Sequence, residues 1–215
     1  LPRWKEKDIS NFVMFVNGNV DSASSLVELL EIPQEIEILC DSTGEIGRKF
    51  GVSTGWRPDD EDMSPYLKLF GMLFGLGAWA TLPSVIGGYI GNPFTPQSWI
   101  EQALAQGQRK GRFPSNALDL DSNGQVELNK FTELPVFGNW PRRPLELATL
   151  RLQNMVGVSL ANWNQLKPSD EELNAGLLTQ LGGCLVLSES KDVRYEWRDQ
   201  GICHVVNFED MIAKL

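Results

Sequence analysis

The chain has 215 residues, with 19 basic and 28 acidic side chains and a formal charge of −9. Hydrophobic residues make up 42% and charged residues 22%, an ordinary globular balance that excludes a disordered chain, a coiled coil and a collagen. The acidic excess argues against a nucleic-acid partner, because phosphate contacts need a basic face. One histidine, His204, excludes a multi-histidine metal site and leaves one base for a Ser/Cys–His pair.

The length reads as a single domain over residues 1–215. Three dispersed cysteines, Cys40, Cys184 and Cys203, form no CxxC. That count argues for a reducing compartment and for cysteines used as small buried hydrophobes. The first residue is Leu1, and no basic segment leads into an apolar one. The start therefore reads as a chain that has lost a leader or as a fragment.

In chain order, Lys5 to Asp8 reads as the end of a helix. Phe12 to Val16 reads as a buried strand and Asn17-Gly18-Asn19 as a turn. A helix follows, capped by Asp21 and running to Glu31, with Leu26, Leu29 and Leu30 on its apolar side. Glu35 to Cys40 is a second strand. Asp41 or Ser42 caps a short helix over Thr43 to Phe50, closed by Gly51. The β-α-β-α order with short connections is an α/β signature.

Leu69 to Ile90 carries no charge and is long enough to span a bilayer. Its glycines and Pro83, with a fresh helix start at Thr81, predict two short buried helices or a hydrophobic surface patch instead. A helix is expected near Ser98 to Gln106. Pro144 opens another, Leu145 to Val156, whose buried face is expected at Leu145, Ala148, Leu152, Met155 and Val156. A short helix lies within Lys167 to Leu178. Strands at Gly183 to Ser188 and Val193 to Arg198 and a helix from Phe208 to Leu215 close the chain.

Asp119 to Val126 has the oxygen spacing of a calcium loop, but its twelfth position is Lys130 where a bidentate carboxylate is needed. A hairpin turning at Asn123-Gly124 is the favoured reading. Arg142-Arg143 can hold an anion, although a salt bridge to an internal carboxylate is preferred. Arg194, Glu196, Arg198 and Asp199 read as a solvated strand face. The seven tryptophans are scattered, which suits core or partner contacts better than a sugar or nucleotide platform. No P-loop, GxGxxG, GxSxG or HExxH is present.

Four segments resemble one family. They are EIEILCDSTGEIGRKFGV (35–52), GMLFGLGAWATLPSVIGGYIGNP (71–93), RRPLELATLRLQNM (142–155) and LTQLGGCLVLSESKDVRYEWRDQGI (178–202). Together they resemble the peroxiredoxin-like proteins of the AhpC/TSA-related group in the thioredoxin superfamily, with Asn92 where that group usually has Asp. The helix at 142–155 is similar to cyanobacterial and plastid forms. The resemblance implies an α/β thioredoxin-like fold with a long, mostly helical insertion before the final β-hairpin: core 9–52 and 180–215, insertion 53–179. It also implies that the first strand and helix lie upstream of what is present. A strand or helix missing there would be supplied by an upstream segment or by another chain.

None of Cys40, Cys184 or Cys203 matches the family's reactive position, and Gln180-Leu181-Gly182-Gly183 stands where the cis-proline turn would be. No catalytic residue, cofactor or metal ligand is assigned. The leading expectation is a redox-inactive binding or structural protein, docking on a photosynthetic-membrane assembly at the plastid stroma or thylakoid surface, or in a cyanobacterial cytoplasm. Its candidate partner surface is Leu69, Phe70, Leu73, Phe74, Trp79 and Tyr89, with membrane contact at most peripheral. The alternative is a thiol oxidoreductase whose catalytic cysteine lies upstream of residue 1. A third reading makes the apolar stretch a pocket for a small ligand.

Overall fold

A computed structural model describes Trp4 and residues 6–215. Six strands run through them: β1 (Phe12–Asn17), β2 (Ile36–Asp41), β3 (Leu118–Leu120), β4 (Val126–Asn129), β5 (Gly183–Leu187) and β6 (Val193–Arg198). The α-helices are α1 (Val20–Leu30), α2 (Glu45–Phe50), α3 (Pro65–Leu73), α4 (Thr81–Ile90), α5 (Trp99–Arg109), α6 (Glu146–Asn154), α7 (Trp163–Leu166), α8 (Asp170–Asn174) and α9 (Phe208–Lys214). A 3-10 turn at Lys130–Glu133 follows β4, and a π-helical segment at Met155–Leu160 continues α6. The chain forms two compact units, one of residues up to Ser84 with Gln165–Leu215, the other Val85–Asn164. The helix end expected at Lys5 to Asp8 falls partly outside the described residues; residues 6–8 form a turn.

In the first unit the aromatic and β-branched run of β1 pairs in parallel with β2, from Phe12 opposite Ile36 to Asn17 opposite Asp41. Helix α1 makes the crossover. Its cap is Asn19, whose side chain accepts from the Ser22 N–H, and Asp21 instead sits in the first turn. Both are short polar residues able to cap; the extended backbone of Asn19 (φ −80°, ψ 165°) is what lets its side chain turn back onto the helix. Glu31, in the left-handed region at φ 50°, ends α1, and its N–H bonds back to Glu28. Pro33 then prevents continuation.

Asp41 closes β2 and opens α2. Its Oδ1 accepts from the Thr43 N–H (3.1 Å), the Thr43 hydroxyl (2.8 Å) and the Gly44 N–H (2.8 Å), while Oδ2 accepts from the Ile46 N–H (2.7 Å). The N-cap is Gly44 and the helix begins at Glu45, which corrects the expected cap at Asp41 or Ser42: Asp41 stands three residues before the cap, braces the turn and reaches into the helix only at the Ile46 N–H. Gly44 stands at φ 73°, and a Cβ there would lie 2.7 Å from the Gln180 Oε1. Both conditions call for glycine.

The same unit contains the antiparallel pair β5–β6, with Gly183 opposite Arg198 and a register shift at Val186/Leu187. Its inner side packs Val186 against Val206 and Met211, joined by Trp4, Ile9, Cys184, Tyr195 and Trp197. Asn207 caps α9 by accepting from the Glu209 and Asp210 N–H groups. The Arg198 guanidinium donates to the Phe50 carbonyl (2.8 Å) and lies over the Phe50 ring. Ser169 and Glu172 form a capping box on α8, and Glu172 also accepts from the Asn19 side chain (3.1 Å).

In the second unit Ile100, Leu104, Ala117, Leu118, Leu147 and Leu150 make the core. Helix α6 corrects the expected apolar face. The buried positions are Glu146, Leu147, Leu150 and Gln153, whereas Leu145, Leu152 and Met155 are exposed. The reason is a polar network that overrides apolar spacing: Glu146 accepts from Asn129 (2.9 Å) and from the Arg143 guanidinium (3.0 Å). Arg143 thus makes the internal salt bridge expected of the Arg142-Arg143 pair. Arg142 instead donates to the Gly87 and Gly91 carbonyls at the end of α4.

β3 and β4 form the hairpin, with the Asp121 carboxylate accepting from the Asn123 and Gln125 N–H groups (2.8 Å each). Lys130, at the position that disqualified a calcium loop, pairs with Asp119 at 2.9 Å.

Burial raises the Asp41 carboxyl, but the bonds from the Thr43 hydroxyl and the Ile46, Thr43 and Gly44 N–H groups outweigh it, and the net shift is below the ordinary 3.8. A depressed folded-state value stabilises the fold above the unfolded value, and that contribution disappears as pH falls through the folded one. Asp41→Asn is expected to cost about 1–3 kcal/mol near neutral pH. Urea unfolding of both proteins from neutral pH down to strong acid checks this: the gap should close with acidification, and parallel curves would refute the assignment.

Candidate functional site

The three cysteines form no disulfide among the described residues, and each is half-buried. Cys40 lies on β2 opposite Val16. Cys184, on β5, lies 3.6 Å from the Met211 sulfur. Burial pushes its thiol up, and the nearby Asp199 carboxylate adds to the rise. A peroxide-reducing cysteine needs the opposite, a thiolate stabilised by positive charge or a helix N-terminus.

Cys203 occupies the left-handed region at φ 66° in the loop after β6. Beside it, the His204 ring packs on Trp197 at 4.8 Å, and its Nδ1 accepts from the Gln200 N–H (3.1 Å). The Asp199 carboxylate accepts from the Trp197 indole N–H (2.8 Å). Burial raises the Asp199 carboxyl, and the Trp197 bond, His204 and the Gly182 backbone only partly offset it. The strand face read as solvated therefore ends in a half-buried acid. Among the described residues, no group of three or more His, Cys, Asp and Glu side chains could hold a metal ion.

The loop 199–204 has a mechanical role. The Gln200 carbonyl accepts from the Ala80 N–H (3.0 Å), and the Ile202 N–H donates to the Thr81 hydroxyl (3.0 Å). Thr81 is fully buried and donates to the Ala78 carbonyl (2.7 Å). Gly201 presses on the same turn, where a Cβ would meet the Thr81 nitrogen at 2.3 Å. Residues 78–81 are thereby held from two sides, and Trp79 between them points outward at 68% exposure.

Helix α3 presents the adjoining surface. Its inner side buries Lys68, Gly71 and Met72. Met72 packs with Ala78, Leu181, Trp56 and Ile202. The Lys68 ammonium donates to the Pro58 carbonyl (3.2 Å), so the one cation of the helix is turned inward. The outer side carries Tyr66, Leu67, Phe70, Leu73 and Phe74, all exposed. They recur at the spacing of one helix face. Phe70 and Phe74 meet edge to face at 5.1 Å, and Leu76 continues the exposed apolar run.

Of the surface residues expected from sequence, Phe70, Leu73, Phe74 and Trp79 are exposed in this unit. Leu69 is half-buried, one position round the helix from Phe70. Tyr89 is exposed on α4 but belongs to the second unit, where its carbonyl accepts from the Leu145 N–H (2.9 Å). Tyr66 and Leu67 were missed because the charge-free run begins after Lys68. A helical period started at Tyr66 would have found them. No helix among the described residues is long and apolar enough to cross a membrane.

The raised Cys184 thiol carries a kinetic consequence. In native protein at mildly alkaline pH, alkylation at Cys184 is expected to be about tenfold or more slower than in urea, because a thiol held protonated by its surroundings offers little of the reactive thiolate. Peptide mapping after timed iodoacetamide treatment measures it; equal native and denatured rates would contradict the burial described.

Comparison with known proteins adds one finding. The family model described as AhpC/TSA antioxidant enzyme matches residues 2–201. No curated protein and no solved structure matches the chain. The mixed α/β arrangement with small sheets is compatible with the thioredoxin-like fold of that family. With nearly the whole length matched, the chain belongs to the AhpC/TSA antioxidant enzyme family, within the peroxiredoxin and thioredoxin superfamily.

Proposed function

We infer that this chain is a thioredoxin-like docking module whose own three cysteines do no peroxide chemistry, and that it binds a protein partner through the outer face of α3 and Trp79. The observation that carries the reading is the outward apolar face itself. Seven large apolar side chains of one short helix and the turn after it, from Tyr66 to Trp79, face solvent, and no charged residue occurs from Leu69 to Ile90. Aromatic anchors of this kind dominate protein interfaces. An uncharged apolar patch on a chain of charge −9 suits an apolar protein surface better than an anionic bilayer.

The partner proposed is an assembly at a photosynthetic membrane. This part of the reading rests on the likeness of residues 142–155 to cyanobacterial and plastid forms, and it implies the stroma, the thylakoid surface or a cyanobacterial cytoplasm. A second reading has one specific support, the antioxidant-enzyme description of the family. In it the nucleophile is a cysteine upstream of residue 1, and the present residues form the walls of the site.

Two measurements test the proposal. Purified chain with hydrogen peroxide and a dithiol reductant should consume no peroxide above the reductant's own rate. Consumption abolished by Cys→Ser substitution at Cys40, Cys184 or Cys203 would overturn it. Binding to detergent-solubilised photosynthetic complexes should weaken about tenfold or more in Phe74→Glu and Trp79→Glu, as loss of an interface anchor does. Leu160→Glu, an exposed apolar residue of the other unit, should leave it unchanged. Equal binding by all of these proteins would refute the surface.

A further inference from the structure

The loop that follows β6 is closed by the one histidine of the chain. The His204 Nδ1 accepts from the Gln200 N–H (3.1 Å), and the His204 N–H donates to the Gly201 carbonyl (3.1 Å). A ring nitrogen that accepts carries no proton, so the neutral imidazole holds its proton on Nε2. Gln200 also reaches across to the neighbouring turn. Its carbonyl accepts from the Ala80 N–H (3.0 Å), and two residues on, the Ile202 N–H donates to the Thr81 hydroxyl (3.0 Å). One residue thus links the imidazole to the turn that carries Trp79.

The groups around the ring are few. Trp197 of β6 lies against it, with ring centroids 4.8 Å apart. Asp199, half-buried and bonded to the Trp197 indole, is the acid that interacts with His204. Cys203 is its neighbour in the chain, and Cys184 of β5 is within electrostatic reach of Asp199. The turn 78–81, Ala-Trp-Ala-Thr, brings no titratable group.

We propose that protonation of His204 releases the turn 78–81, so that Trp79 and the end of α3 lose their support as the solution acidifies. The second ring proton enters at Nδ1. There it meets the Gln200 N–H donor to donor, and the acceptor of that bond is gone. The imidazolium gains in exchange an attraction to the Asp199 carboxylate. With its N–H unheld, Gln200 moves more freely, and the Ala80 bond to its carbonyl opens more often. An ordinary histidine value of about 6.5 places this change between about pH 5 and 8. The consequence for partner binding rests on the docking reading of α3 and Trp79; the opening of the turn does not.

The test is amide exchange of the whole chain by NMR at about pH 7.5 and about pH 5.5, corrected for the intrinsic rate at each pH. Protection at Gln200 and at Ala80 is expected to fall about fivefold or more in acid, the worth of one lost hydrogen bond, in step with the titration of the His204 ring. His204→Asn offers an amide oxygen in place of Nδ1 and does not titrate, so its protection should be equal at both values. Three results overturn the proposal: Ala80 protection unchanged in the native chain, loss at Gln200 alone, or an equal loss in His204→Asn, which would assign it to Asp199. Should that variant not fold, the native chain decides by whether the Ala80 and His204 changes coincide. Binding to detergent-solubilised photosynthetic complexes is read separately and should weaken about fivefold at the lower pH. Absence of binding at both values refutes the docking reading while the exchange result stands; binding that ignores a released turn overturns the link between them.

Discussion

Four residues at the end of the parallel pair form a closed circuit on which the rest of the first unit depends. Asn17 pairs in register with Asp41. The Asp41 carboxylate accepts from the Gly44 N–H. The Gly44 carbonyl accepts from the Gln180 amide at 2.9 Å, and the Gln180 oxygen accepts from Asn17. Residues separated by more than 130 positions are thereby locked to one strand end. The circuit works because each member has one geometry available: a carboxylate with several lone pairs, a glycine at positive φ, and an amide that donates on one side and accepts on the other. It ties the segment just ahead of β5 to the end of β1 and to the turn after β2.

The surface and the interior of α3 follow from one trade. Lysine can bury its stem and still bond its ammonium to a carbonyl, and Lys68 does so with Pro58. Phenylalanine left in water forgoes about 1.5–3 kcal/mol of burial, and both Phe70 and Phe74 are left there. Folding alone would favour the reverse. The helix holds this orientation because Gly71 lets the Trp56 ring sit against its backbone, where a Cβ would be 2.4 Å from the ring, and because Met72 is fully buried beside it. The loop 199–204 then fixes the following turn. An exposed apolar face on a rigid support is costly unless something covers it.

Much of this architecture was legible in sequence because it is local. The strand at Phe12, the crossover helix, the strand ending at Asp41 and the hairpin at Asn123-Gly124 each carry their own pattern or turn chemistry. What was not legible depends on partners far along the chain. The buried face of α6 is set by Asn129, which pulls Glu146 inward; apolar spacing alone selects Leu152 and Met155, which are exposed. Asn19 rather than Asp21 caps α1 because of backbone angles that no composition reveals. Leu69 and Phe70 are both apolar neighbours in sequence, yet Leu69 is half-buried and Phe70 exposed. The half-burial of Asp199 likewise comes from Trp197 and the loop that follows it.

Family membership leaves the role of the three sulfur atoms to be read from where they lie. The fold type can present a cysteine to a helix N-terminus, where backbone N–H groups and the dipole favour a thiolate. The described cysteines lie elsewhere: Cys40 within a strand, Cys184 in a cluster beside a methionine and an acid, Cys203 in a loop whose Gln200 carbonyl and Ile202 N–H hold another turn. In Cys184 both influences, burial and Asp199, disfavour the thiolate, so its position suits packing. The same scaffold does provide two things that need no thiol, a rigid apolar helix face and apolar strand faces on β1 and β5. Their side chains, Phe70, Phe74, Trp79, Val13, Phe15, Leu185 and Leu187, are apolar and exposed.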